Sequence, residues 1–298
     1  MSADAELLEL AVQEGLAPDL LSRLVRHDGA RRQMALSRRD LSLELAEEII
    51  ALGSARTLAA NSSLPPGARA LLVDHPQTEV RAALAANADD DPPGILVRLS
   101  QDPEPFVRSF LAMNDRLDPA VRARLATDPD REVRSSLARH WLDAPDEVRR
   151  ALLTDPDSDV RRGAVHAYEP PPDLLPELLR DPVTRAGVVR HAEPTGDLAT
   201  DPDADVRRAL ARHPALSAHL RDLLAADPDV LVRDAVAARP DTPSALREEL
   251  EPTLHSDDPV EQWLIGFSRH QCPPSEERPA PGGRTRAEAE ALLTGAGL

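Results

Sequence analysis

Charged residues that could do chemistry recur in this chain in a fixed order. The stretch DPDREVRSSLARH, which begins at Asp128, returns in closely similar form from Asp155 and from Asp201. It carries carboxylates, a guanidinium and an imidazole, which are groups that serve in acid–base catalysis, anion binding and metal ligation. Their recurrence raises a second interpretation, in which the charged motif is one structural repeat that the chain uses many times.

An aspartate opens each copy, and in most copies an arginine follows six or seven residues later. The openers lie mostly 26 to 28 residues apart, with one short step of 20 between Asp181 and Asp201. One role for the arginines is a basic stripe that binds phosphate or an acidic partner. Because an aspartate accompanies each arginine, we favour a structural role, in which the arginine reaches the opening aspartate or a helix-end carbonyl of the next repeat. The openers are Asp74, Asp102, Asp128, Asp155, Asp181, Asp201 and Asp227, and the arginines are Arg81, Arg108, Arg134, Arg161, Arg185, Arg207 and Arg233.

Each repeat predicts two short helices. A residue before proline avoids the helical region, so we expect the opening aspartate to be the N-cap and the proline to begin the helix. Apolar residues then follow at helical spacing, as at Val133 and Leu137. The helix should end near residues such as Asn114, where asparagine suits a left-handed exit, or His213, which suits the helix dipole. A leucine-rich second segment follows that is short enough to be partly 3₁₀, and helices of this length need neighbours for stability.

The pattern Asp-Pro-Asp-x-x-Val-Arg-x-x-Leu-Ala-x-His, followed by proline and a leucine-rich segment, resembles the leucine-rich repeat variant family and is close to HEAT-type repeats. The resemblance covers about residues 53 to 257. It implies an all-α fold, namely a right-handed α-solenoid of short α/3₁₀ helix pairs without a β-sheet. Some members of the family carry a cysteine-rich iron–sulfur segment before the repeats. This chain has no cysteine there, so we expect no cofactor.

The repeats suggest three regions along the chain. We predict a helical N-terminal cap over residues 1–52, a repeat solenoid over 53–260, and a C-terminal cap with a proline-rich tail over 261–298. The last stretch, RAEAEALLTGAGL, has the composition of a short terminal helix. The N-terminus has no basic region followed by an apolar stretch, and no apolar run reaches the length of a membrane span. These features predict a cytoplasmic protein with no membrane-spanning segment.

The composition argues against several classes of function. The formal net charge is -17, and all 35 basic residues are arginine, so the chain as a whole repels duplex DNA, although a local basic stripe is compatible with this charge. Aromatic residues make up only 2% of the chain, which leaves few platforms for stacking on single strands. The lone cysteine, Cys272, can form neither an internal disulfide nor a cysteine metal cluster.

The histidines and acids do not form a recognisable catalytic or metal site. His140, His191 and His213 share one position of the repeat, and equivalent positions in neighbouring repeats lie about 8–10 Å apart, too far to share an ion. The sequence has no phosphate-cradling glycine loop, no G-x-S-x-G and no H-E-x-x-H. We therefore predict no catalytic residues, no metal ligands and no enzymatic activity.

One group of residues is a candidate for binding a partner. Trp141 follows a helix end, and exposed aromatic and arginine side chains are typical anchors of protein interfaces. An equally open interpretation is that Trp141 fills a gap between repeats. The candidate partner-binding residues are Arg139, His140, Trp141, Arg212 and His213.

The sequence favours a non-enzymatic scaffold for protein–protein interaction, in which a curved solenoid surface binds another protein or peptide. One alternative is a HEAT-like nucleic-acid-binding or base-excision protein, which is expected to show a basic groove with clustered tryptophan, tyrosine and aspartate. A second alternative is that the acidic surface imitates nucleic acid. The negative charge and the low aromatic content count against the first alternative.

Overall fold

The computed structural model describes residues 3–87, 89, 94–269 and 284–298. Every regular element in these residues is a helix, and none of them is in a strand, so the predicted all-α fold is confirmed. The right-handed winding stays a prediction. The chain divides into two compact units: unit 1 comprises Met1–Val148 and Arg278–Leu298, and unit 2 comprises Arg149–Glu277. The predicted boundaries at residues 52 and 260 do not coincide with this division and stay predictions.

Unit 1 contains, among its described residues, the first helices of six repeats and the second helices that follow them. In chain order these are α1 Ala3–Val12, α2 Pro18–Leu24, α3 Asp28–Ser37, α4 Leu43–Ala51, α5 Ala55–Ala59, α6 Pro66–Leu72, α7 Thr78–Asn87, α8 Ile95–Leu99, α9 Pro105–Ala112, α10 Pro119–Leu125, α11 Arg131–His140 and, near the end of the sequence, α22 Arg286–Gly295. The odd-numbered helices from α1 to α11 pack side by side in chain order. The helix α12, Asp146–Leu153, spans the point of division.

Unit 2 continues the same alternation. Its helices are α13 Ser158–Ala167, α14 Leu175–Leu178, α15 Arg185–Val188, α16 Gly196–Ala199, α17 Ala204–Ala211, α18 Ala218–Ala225, α19 Val230–Ala237, α20 Ser244–Leu250 and α21 Pro259–Arg269. Within this unit α13, α15, α17 and α19 pack side by side in order. The second helices of the repeats are mainly α-helical, and 3₁₀ turns occur at Val189–His191 and Glu251–Thr253. The predicted proline-rich segment and Cys272 lie outside the described residues.

The core consists of the apolar positions that flank the repeated arginine. Val107 and Leu111 of α9 are fully buried, and so are Val206 and Leu210 of α17. Each pair has the i, i+4 spacing that places both side chains on one face of a helix. The helical face that the sequence predicted as apolar is therefore the face that packs against the neighbouring repeats. A leucine at such a position contributes about 2–5 kcal/mol relative to alanine.

The helix starts differ from the prediction that the opening aspartate is the N-cap. The N-cap of α11 is Asp130, whose carboxylate accepts a hydrogen bond from the backbone N–H of Glu132 at 2.8 Å. Opener Asp128 lies two residues earlier and accepts the N–H of Asp130 at 2.9 Å. The prediction was wrong because the proline after the opener belongs to a turn, and the acid after that proline has the extended backbone that capping needs.

The last described helix packs against the first two. In α22, Ala289 and Leu293 are fully buried, and the helix contacts α1 and α2. The guanidinium of Arg23 donates to the carbonyl oxygen of Leu298 at 2.7 Å. The N–H of Arg284 donates to the side chain of Gln13 at 2.6 Å. Contacts between residues more than 270 positions apart thus attach the last described segment to the first helices of unit 1.

A glycine sets how closely α15 approaches α13. A Cβ atom at Gly187 would lie 2.6 Å from Cγ2 of Val165, a side chain that is buried and β-branched. We expect Gly187→Ala to destabilise the protein by about 1–3 kcal/mol, because Val165 cannot move aside in a packed core. Urea unfolding, followed by circular dichroism, measures this change.

Gly196→Ala is the matched control, because a Cβ there meets no atom within 4 Å and the residue is also in a helix of unit 2. This variant should be neutral or slightly stabilising. An equal loss of stability in the two variants would contradict the close packing of α13 and α15.

Candidate partner-binding surfaces

The repeated arginines link neighbouring repeats within each unit. The Nε and Nη2 atoms of Arg108 donate to the two carboxylate oxygens of Asp128, at 2.7 and 2.9 Å. Its Nη1 donates to the backbone carbonyl oxygens of Asp102 and Pro103, at 2.8 and 3.3 Å. One guanidinium thus holds the turn of its own repeat and the opening aspartate of the following repeat. We call this recurring contact the arginine ladder.

The same contact recurs in both units. Arginine Nε donates to a carboxylate oxygen at 2.7–2.8 Å in the pairs Arg81–Asp102, Arg161–Asp181 and Arg207–Asp227. In the short repeat the contact is longer, since Nη2 of Arg185 lies 3.2 Å from a carboxylate oxygen of Asp201. The last ladder arginine, Arg233, donates to the carbonyl oxygen of Thr253 at 2.8 Å. The structural role that the sequence predicted for these arginines is confirmed for these pairs.

Burial makes the ladder sensitive to the loss of either partner. The side chains of Arg108 and Asp128 are only 11% and 6% exposed. The hydrogen bond to Asp128 raises the pKa of Arg108 above its ordinary value, and Arg81 and Arg207 show the same direction for the same reason. These arginines therefore stay charged at any physiological pH, and their guanidiniums are engaged in contacts within the fold.

A second set of contacts joins neighbouring repeats at the opposite ends of the first helices. The amide nitrogen of Asn114 donates to the carbonyl oxygen of Ala85 at 2.8 Å, which is in the last turn of the preceding first helix. Arg239 occupies the equivalent position in unit 2 and donates to the carbonyl oxygens of Ala211 and His213, both at 2.8 Å. These side chains satisfy carbonyl groups that a helix end leaves without partners.

This second set corrects the predicted role of the helix-end asparagines. No described residue other than glycine has a positive φ, so the prediction of left-handed backbone at these asparagines was wrong. An asparagine there supplies a hydrogen-bond donor to the neighbouring repeat. Asn114 and Arg239 occupy the same position in two different repeats. This difference was the signal in the sequence, because both side chains can donate hydrogen bonds but arginine lacks the preference of asparagine for left-handed backbone.

The structure places Trp141 in the interior of unit 1. The residue is 3% exposed and follows the end of α11. The guanidinium carbon of Arg122, on α10, lies 5.8 Å from the ring centroid, a distance at which a cation and an aromatic face attract. This location agrees with the interpretation in which the indole fills a gap between helices, and it leaves little of the ring for a partner.

The other four candidate residues divide between the two units. Arg139 and His140 are exposed on α11 in unit 1, and the Nδ1 atom of His140 lies 2.7 Å from the carbonyl oxygen of Ser136. Arg212 is exposed in unit 2, whereas His213 is 7% exposed and its Nδ1 accepts the N–H of Ala215. Among the described residues, the side chains of Arg139 and Arg212 have no hydrogen-bond or ion-pair partner. These two are the candidates whose charge is available.

An apolar face on α9 was not predicted from the sequence. Phe106 and Met113 are 50% and 43% exposed, and Phe110 lies between them, half-buried. The signal was present in the repeat alignment, because the positions of Phe106 and Met113 are held by Glu132 and Arg139 in the next repeat. Two of the three phenylalanines of the chain therefore stand at positions that the next repeat fills with polar residues.

The described residues contain no group of three or more histidine, cysteine, aspartate or glutamate side chains arranged to hold a metal ion. In the same part of the chain, no helix combines the length and the apolar character that crossing a membrane requires.

Comparisons with known proteins find a solved repeat structure to which the chain is similar. No family model matches the chain, and no curated protein matches it. The chain is similar to a solved structure described as "a leucine-rich repeat variant with a novel repetitive protein structural motif", which is the family that the repeat motif resembles. The two are 26% identical, the match covers 72% of this chain and 85% of that one, and the TM-score is 0.46.

The arginine ladder predicts a large effect of one substitution. We expect Arg108→Ala to lower the free energy of unfolding by roughly 2–4 kcal/mol, because it leaves the buried Asp128 carboxylate without its guanidinium. Arg108→Lys should fall between the wild type and Arg108→Ala, because lysine keeps the charge but loses the two-pronged contact. Urea unfolding of the three proteins measures the order.

The matched control is Arg124→Ala, which removes an exposed arginine from the adjacent helix α10. Its effect should stay within about 0.5 kcal/mol of zero. If the two alanine variants lose the same stability, the ladder does not hold the repeats together.

Proposed function

We propose that this chain is a non-enzymatic scaffold that binds another protein through the exposed faces of its first helices. The observation that supports this best is the apolar face of α9, with the unpaired Arg139 on the neighbouring helix. We call Phe106, Phe110, Met113 and Arg139 together the α9 surface. The ladder arginines are engaged within the fold, so the repeated charged motif leaves partner binding to the residues that vary between repeats.

The three apolar residues form one continuous ridge. Phe106, Phe110 and Met113 follow one another at i, i+4 and i+7, which places them on one face of a helix. The ring centroids of the two phenylalanines are 4.8 Å apart, and the rings are tilted by 53°. This is within the preferred range for aromatic pairs, so the rings hold each other in place before any partner arrives. A rigid aromatic and methionine ridge is the composition that protein interfaces favour.

The neighbouring helices keep the ridge open. On α7 the residues that correspond to Phe110 and Met113 are Ala83 and Ala86, whose side chains are too short to cover it. On α11 the corresponding residues are Ser136, which is buried, and Arg139, which is exposed. The α9 surface is therefore an apolar ridge that is flanked by short side chains on α7 and by the positive charge of Arg139 on α11.

These features fit an amphipathic helix of a partner protein. Its apolar residues would lie against Phe106 and Met113, and an acidic residue at its edge would pair with Arg139 through the planar guanidinium. Trp141, from the original candidate group, does not belong to this surface because its ring is buried. His140 is exposed beside Arg139 and would border the partner.

The alternative of nucleic-acid binding has weaker support. A backbone-tracking groove needs several free cations in a row, and the repeated arginines that could supply them contact aspartates or backbone carbonyls. The formal net charge of -17 opposes such binding at long range. The acidic-mimic alternative predicts instead that a partner binds with no dependence on Phe106 or Met113, and the following experiment separates the two.

The test is the loss of a defined partner when the ridge is made polar. The native protein is used to capture partners from its own cells, the captured protein is purified, and its dissociation constant is measured. The double variant Phe106→Ser with Met113→Ser should weaken this binding about tenfold or more, because exposed apolar anchors carry much of the binding energy of an interface. Arg139→Glu should also weaken it.

Leu142→Ser is the matched control, because Leu142 is 67% exposed in unit 1 and lies outside the α9 surface. Circular dichroism confirms that all variants keep their helical content. The proposal is wrong if the purified partner binds the double variant and the wild type equally, or if Leu142→Ser weakens binding as much as the double variant.

A further inference from the structure

The first helix of one repeat in unit 2 is much shorter than its neighbours. The helix α15 has 4 residues, whereas α13 has 10 and α17 has 8. Its neighbours begin three residues before the ladder arginine, but α15 begins at Arg185 itself. This is the repeat with the step of only 20 residues in the sequence, and Arg185 follows its opening aspartate by four residues, whereas Arg161 and Arg207 follow theirs by six. The shortened helix leaves space between the helices on either side.

Small residues keep this space open. A cavity of about 520 Å³ lies over α15, and Ala186 and Gly187 form part of its floor. A larger side chain at Gly187 is excluded by the close contact with Val165. The volume falls within the range of pockets that hold small ligands or short peptide segments.

Basic side chains line the two walls. Arg162 and His166 come from α13, Arg208 comes from α17, and Arg212 is the C-cap residue that follows α17. We call the space bounded by these four side chains and by Ala186 and Gly187 the α15 trough. Arg212 also lines an adjoining cavity of about 590 Å³, whose other walls include Pro214 and Pro240. A free guanidinium thus stands where two cavities meet.

The acids of the trough are already engaged. Asp203 is the N-cap of α17 and accepts the N–H of Asp205 at 2.9 Å. Asp205 pairs with Arg208 at 2.6 Å, and on the other wall Arg162 pairs with Asp159 at 2.8 Å. Exposed pairs three residues apart on one helix contribute only about 0.3–0.5 kcal/mol, so an incoming anion competes with them at little cost.

We propose that the α15 trough binds an acidic segment of a partner protein in extended conformation. Arg212 keeps helical backbone angles as the C-cap of α17, and its N–H donates to the carbonyl oxygen of Arg208 at 3.3 Å. The two residues are therefore separated by about 6 Å along the helix axis. In an extended peptide, residues i and i+2 lie on the same side and about 6.5–7 Å apart. A Glu-x-Glu sequence therefore presents its carboxylates at the spacing of these two guanidiniums. Each arginine can receive a carboxylate through two parallel hydrogen bonds.

The spacing and the charge favour a peptide over a nucleic acid. The trough is confined to one shortened repeat, so it offers a few cations and no continuous track for a phosphate backbone. The acidic body of the chain repels a long polyanion but tolerates a short segment that is neutralised at the site. The proposal concerns unit 2 alone and does not depend on the α9 surface in unit 1.

The experiment measures the binding of a defined probe to the full chain. A short fluorescein-labelled peptide that alternates alanine and glutamate is titrated with the protein, and fluorescence anisotropy reports binding. We expect saturable binding that weakens with added salt, because the contact is electrostatic. A peptide with glutamine in place of glutamate should not bind. Arg212→Ala should weaken binding about tenfold, and Arg212→Lys should weaken it less.

Arg180→Ala is the matched control. Arg180 is exposed in unit 2, lies outside the trough, and its side chain has no partner among the described residues, so its loss changes the net charge alone. The double variant of Phe106 and Met113 should bind the probe normally, which separates this site from the α9 surface.

Three results would overturn the proposal. The first is equal binding of the glutamate and glutamine peptides. The second is an equal loss of affinity in Arg212→Ala and Arg180→Ala. The third is tighter binding of a single-stranded oligonucleotide of the same charge, which would make the trough a phosphate site.

Discussion

The fold depends on the contact between one arginine and the aspartate that opens the next repeat. The helices are five to ten residues long in most repeats, and isolated helices of that length do not persist in water. Their stability must come from neighbouring helices. Apolar packing alone does not fix the position of one repeat along the next. A guanidinium that donates to both oxygens of a buried carboxylate in the next repeat, and to two carbonyl oxygens of its own turn, sets that position, because a shift of one repeat along the other would break both bonds to the carboxylate.

First helices such as α7 and α17 are therefore held at both of their ends. The arginine ladder lies at the N-terminal ends, and donors such as Asn114 and Arg239 reach neighbouring carbonyls at the C-terminal ends. The outward face between these ends makes few contacts and varies from repeat to repeat. On α9 it is apolar, and on α13 and α17 it is basic. A constant frame with a variable face is an arrangement in which binding properties change without loss of stability.

The sequence predicted the contacts between residue types that recur together in the repeats. It did not predict those that depend on local geometry. The partnership of Arg108 with Asp128 followed from the pairing of the two residue types in repeat after repeat. The helix start at Asp130 did not, because Asp128 and Asp130 are both good caps and only the turn through the proline decides between them. The burial of Trp141 was left open for a similar reason, since the room beside Arg122 depends on how two helices meet. The ridge on α9 was detectable by comparing Phe106 with its counterparts, but an average composition hides a single exceptional repeat.

The docking of α22 onto α1 and α2 has a consequence for the timing of folding on the ribosome. The partners of Arg23 and Gln13 are Leu298 and Arg284, which are synthesised after the helices α1 to α21. The middle repeats of unit 1 can stack as soon as they leave the exit tunnel, since their contacts are with neighbours in the chain. The side chains that α22 covers stay exposed to water until α22 has been synthesised. The helices α1 and α2 are thus the part of unit 1 that reaches its final contacts last, and they are where a chaperone has the longest opportunity to bind.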